Sequence, residues 1–139
     1  MTTRFDVLRL ARTKLTPATW IQNSFANDAK GRSLSPTYGD PPFCVVPGQP
    51  ADPVQFCALG AVYAAAHELN VNDDRALFSL HRTLRLRRRR NRGTDARLLR
   101  RWNDEYGRTF KEVMRAFDDT IRRGEANQDQ EERRYVDDE

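Results

Sequence analysis

The chain has 139 residues, 38% hydrophobic and 32% charged, which is enough apolar material for one small core and excludes both a second core and a wholly disordered chain. No apolar run approaches the roughly 20 residues that span a bilayer, the start lacks a basic region followed by an apolar one, and two cysteines are too few for a disulfide framework; a cytoplasmic protein with no membrane partner is expected. The formal net charge of +4 conceals an asymmetry: residues 82–101 hold ten arginines against Asp95, whereas residues 125–139 hold seven acids against Arg133 and Arg134.

Phe5, Leu8, Ala11 and Leu15 recur at helical spacing and predict a first helix over about 4–14. Thr16-Pro17 reads as a helix start, with Trp20, Ile21, Ser24 and Phe25 on one face of a second helix that runs to about Asp28 and ends at Gly31. Six of the seven prolines fall between Pro36 and Pro53, so a long Pro-rich loop is expected over about 32–52, with neither helix nor central strand. Asp52-Pro53-Val54-Gln55 predicts the N-terminus of a third helix, apolar on nearly every side to Leu69 and therefore central.

Asn72-Asp73-Asp74 caps a fourth helix with the stripe Leu77, Leu80 and Leu84. Asn91-Arg92-Gly93 breaks the chain, and Thr94 starts a short helix carrying Leu98, Leu99 and Trp102 to about Tyr106. Thr109-Phe110-Lys111-Glu112 is a capping box ahead of Val113, Met114, Phe117 and Ile121. The sum is an all-α fold: one bundle of five or six helices over residues 4–124, no β-hairpin, and an acidic, solvated tail over 125–139.

Three strings carry a resemblance: Thr16-Pro17-Ala18-Thr19-Trp20, then Phe56-Cys57-Ala58-Leu59-Gly60-Ala61, then Trp102-Asn103-Asp104 with Gly107-Arg108-Thr109, Glu112-Val113 and Phe117-Asp118. In this order they resemble a family of small, functionally uncharacterised bacterial and phage domains, over most of residues 5–124. The resemblance implies no established activity. In that pattern tryptophan usually precedes the Cys-Ala-Leu-Gly block and histidine often follows Gly-Arg-Thr; here Phe56 and Phe110 stand in those places.

Four constellations could carry chemistry. Cys57, near the start of a helix, is the sole candidate nucleophile, yet His67 on the same helix would lie about 15 Å away at 1.5 Å per residue. The reading as a small buried hydrophobe between helices is favoured. Cys44, Cys57, His67 and His81 lack the paired spacing of zinc sites, so no metal and no cofactor is expected. Trp20, Trp102, Asn103, Asp104 and Arg108 form a candidate pocket, in which apolar walls would carry a few polar anchors. The densest signal is Arg85, Arg87, Arg88, Arg89, Arg90 and Arg92, extended by Arg97, Arg100 and Arg101, whose permanent charges suit phosphate oxygens.

The sequence therefore points to a non-enzymatic helical module that docks on nucleic acid, or on an acidic protein surface, through its arginine segment, with the tail from Glu125 as an internal competitor. A phage or mobile-element accessory protein that binds a host protein is the alternative, and a cysteine-dependent enzyme a further one.

Overall fold

Thr3 opens α1 (Arg4–Thr13) with a reciprocal cap: its hydroxyl accepts the Asp6 N–H, and the Asp6 carboxylate accepts the Thr3 N–H at 2.8 Å. The structure, a computed structural model, describes residues 2–37, 42–45, 51–86 and 95–137. Along them follow β1 (Ala26–Asp28), β2 (Ser33–Pro36), β3 (Phe43–Cys44), β4 (Pro53–Phe56), α2 (Ala58–Glu68), α3 (Asp74–Leu84), α4 (Asp95–Asp104) and α5 (Phe110–Asp137). The fold is α+β, which corrects the all-α bundle that helical spacing predicts.

The four strands form one antiparallel sheet in the order β3-β2-β1-β4. Ala26 stands opposite Leu34 on one side and Phe56 on the other, and Pro36 opposite Phe43. Ala26, Leu34, Phe43 and Phe56 are buried, and the Phe43 and Phe56 rings meet edge to face with centroids 6.3 Å apart.

The expected second helix does not form because β4 claims the backbone that would have made it. Thr16 and Thr19 close a single turn, and then the Phe56 N–H bonds to the Thr19 carbonyl at 2.8 Å and the Ile21 N–H to the Phe56 carbonyl at 3.0 Å. Asn23, at φ +67°, ends any helical path before β1. Gly31 is not a helix stop but the left-handed residue, φ +79°, of a β1–β2 hairpin. Part of the stretch expected as a Pro-rich loop is strand. Its prolines sit where a sheet tolerates them: Pro36 ends β2, and Pro53 begins the outer strand β4. The central helix consequently starts at Ala58, capped by Cys57, rather than at Pro53.

α2 is the hub. It packs on α1, α3, α4 and β4, burying Leu59, Ala61, Val62 and Ala65, while α1 lies against α2, α3 and α5. A methyl at Gly60 would fall 1.9 Å from the Phe25 carbonyl oxygen, so the first turn of α2 rests directly on the strand-entry backbone. α5 keeps the predicted capping box, with the Thr109 N–H on Glu112 at 3.0 Å, and continues unbroken through Gly124 to Asp137. Gly124 is again a packing residue: a methyl there would meet the Phe5 ring at 1.9 Å. Among the described residues no helix is long and apolar enough to cross a membrane.

Candidate functional site

The candidate pocket residues do meet, at the C-terminal end of α4, in a hydrogen-bonded polar joint. Asn103 is wholly buried, and its amide is saturated. Its Oδ1 accepts the Trp20 indole N–H at 2.8 Å and the Ala58 N–H at 3.0 Å; its Nδ2 donates to the Ile21 carbonyl at 3.1 Å and to Asp104 Oδ1 at 3.0 Å. One side chain thus ties α4 to the first turn of α2 and to the segment leading into β1. Asp104 Oδ1 also accepts the Asn23 N–H at 2.8 Å, and Gln22 donates to the carbonyls of Asn103 and Glu105, both at 2.9 Å.

The remaining two members are occupied as well. The Arg108 guanidinium lies 4.3 Å over the Trp102 ring, donates to the Trp102 carbonyl at 3.0 Å, and pairs with Glu105 and Glu112 at 2.5 and 3.0 Å. Trp20 packs against Phe110, centroids 6.4 Å apart. Gln22 and Asn23 belong to this joint and were not singled out by the sequence. On the expected helix both fall on the polar side, opposite Trp20, Ile21, Ser24 and Phe25, where an amide carries no distinctive signal.

Cys57 caps α2, its Sγ accepting the Gly60 N–H at 3.2 Å, and is inaccessible to solvent. Burial pushes the thiol up to about 11, outweighing the Gly60 and Leu59 amides that favour the thiolate. A nucleophile needs the reverse. His67 lines a separate concavity of about 390 Å³ with Asp73 and Asp74, and His81 Nδ1 faces Asp95 at 3.5 Å across α3 and α4. Cys44 is buried, and among the described residues no group of histidine, cysteine and carboxylate could hold a metal ion.

The arginine segment divides. Arg87, Arg88, Arg89, Arg90 and Arg92 lie outside the described residues. On α4 the helical spacing buries Leu98, Leu99 and Asn103 and leaves Arg97, Arg100 and Arg101 exposed. These line an open groove of about 780 Å³ together with Leu86, Trp102 and the acidic Asp104 and Glu105. Arg100 lies 4.3 Å over the Phe25 ring, and its Nε is 3.8 Å from Asp104. Among the described residues Arg82, Arg85 and Arg101 are exposed and make no ion pair. Glu125, from the acidic end of the chain, pairs with Arg9 on α1 rather than with an arginine of this face.

A family model described as a family of unknown function (DUF6197) matches residues 1–123. No curated protein and no solved structure matches the chain.

Proposed function

We propose, for a chain that belongs to this family of unknown function and so takes no assigned activity from it, a non-enzymatic role: docking on the phosphate backbone of nucleic acid through α4 and the arginines around residues 85–92. The observation that supports this most is the outer face of α4. Arg97, Arg100 and Arg101 share an open groove in which Arg101 has no acidic partner among the described residues, so its charge stays available to an outside anion. Guanidinium forks suit phosphate oxygen pairs and keep their charge at every working pH. Such contacts give affinity without sequence preference and with steep salt dependence, because each neutralised phosphate releases condensed counterions. The buried, weakly acidic Cys57 favours this reading over a cysteine-dependent enzyme.

The test is fluorescence anisotropy with a DNA duplex and an RNA hairpin at several salt concentrations. Neutralising five or six phosphates predicts a loss of at least about a hundredfold in affinity between 50 and 200 mM salt. Replacing Arg97, Arg100 and Arg101 together with Arg87, Arg88, Arg89 and Arg90 by glutamine abolishes binding in this reading. Affinity indifferent to those substitutions rejects it, as does preference for an acidic protein over both nucleic acids.

A further inference from the structure

Helices α1, α3 and α5 enclose a concavity of about 270 Å³ that shares no lining residue with the α4 groove. Each helix contributes one arginine to it, Arg4, Arg82 and Arg123, and no carboxylate lines it. Among the described residues none of the three guanidinium groups makes an ion pair; Arg4 is instead stacked 4.8 Å over the Phe5 ring. The other two arginines of α1 are matched, Arg9 with Asp6 and Arg12 with Asp118. Three cations without acidic partners among the described residues, lining one hollow that holds no carboxylate, favour an anion there.

The other walls narrow the anion's identity. Ser79, Thr83 and Thr120 each donate their hydroxyl hydrogen to the carbonyl four residues earlier, at 2.9, 3.0 and 2.7 Å. Their oxygens are left as acceptors, which suit ligand hydroxyl groups and not phosphate oxygens. Phe78 is 49% exposed and gives the rim a flat apolar surface. The volume lies just under the roughly 300 Å³ at which pockets for drug-sized ligands begin, so the occupant is small.

The geometry points to a binding site for a nucleoside monophosphate: phosphate on Arg4, Arg82 and Arg123, sugar hydroxyls on Ser79 and Thr83, base against Phe78. None of these residues lines the α4 groove, so a failure of nucleic-acid docking there leaves this site untouched.

Calorimetric titration of the full chain with adenosine monophosphate, adenosine and inorganic phosphate tests it. The monophosphate is expected to bind at least about tenfold more tightly than adenosine, as charge-assisted phosphate contacts require. Arg82→Gln with Arg123→Gln should lose at least about tenfold, and Arg4→Gln, on an exposed side chain at a helix start, provides the same reading should the double variant not fold. Phe78→Ala should weaken the monophosphate while leaving inorganic phosphate unchanged. Arg97→Gln with Arg101→Gln should change nothing. The site is rejected if wild-type protein shows no heat with the monophosphate, if the Arg82, Arg123 and Arg4 variants bind it normally, if the α4 variant loses it equally, or if only an RNA oligomer binds there.

Discussion

Asn103 commits both acceptor positions and both donor positions of its amide, and its partners include the Trp20 indole and the Ala58 N–H at the start of α2. Asn103→Leu fills comparable volume but leaves those groups buried and unpaired, at a cost of about 3 kcal/mol or more. For a domain of this size that lowers the melting temperature by about 10 °C. Thermal unfolding followed by circular dichroism measures it, and a shift under about 3 °C would remove Asn103 from its structural role. The sequence places Trp20, Trp102, Asn103, Asp104 and Arg108 together, and they are together. It cannot tell a pocket from a joint, because three of the deciding partners, Ala58 N–H, Ile21 C=O and Asn23 N–H, are backbone groups with no residue signature. Cys57 shows the same limit: its depth under the sheet entry depends on where the helix begins, and that onset lies five residues later than the Asp52-Pro53 signal suggests.

At the level of elements, local signals succeed where the backbone is satisfied locally. The capping boxes at Thr3 and Thr109 bond within four residues, and the second of these is readable directly from Thr109 and Glu112. Strands take their partners from far along the chain, so Trp20 to Phe25 reads as a helix face until β4 is known to lie beside it. The hairpin leaves only a weak trace, the turn composition of Asn27-Asp28-Ala29-Lys30-Gly31, which polar Arg32 and Ser33 follow before Leu34. Asp28 organises that turn, accepting the Lys30 N–H at 3.0 Å, the Arg32 N–H at 2.9 Å and Arg32 Nε at 2.8 Å. Burial pushes its carboxyl up, but the Arg32 and Lys30 contacts outweigh that and hold it below its ordinary value. A carboxyl depressed in the folded state contributes stability that is complete above its unfolded pKa and is lost as pH falls through the folded one. The hairpin should therefore loosen in acid, below the ordinary carboxylate range near about 4. The protection factors of the Lys30 and Arg32 amides, the intrinsic exchange rate at each pH divided by the observed rate, should fall there in the wild type and be low at all pH values in Asp28→Ala; protection factors independent of pH in both would contradict the assignment.

For the whole molecule, charge and fold follow separate divisions of the chain. Arginines crowd residues 82–101, acids crowd 125–139, and α5 runs through the boundary at Gly124 without interruption. Ending the chain after Asn127 removes six acids and two arginines and lifts the formal net charge from +4 to +8, while every core residue and the Arg9–Glu125 pair remain. The shortened protein should melt within about 2 °C of the full chain, surface pairs being worth little, and should bind nucleic acid more tightly at low salt. A large drop in melting temperature, or unchanged affinity, would count against this division of roles. The backbone of residues 19–21 has one more effect, through its bonds to Phe56. It takes up both backbone groups of Phe56, so that a strand from another copy cannot extend the ladder along the outer rim of β4 past that residue, and edge-to-edge self-assembly there is shortened to the stretch before it.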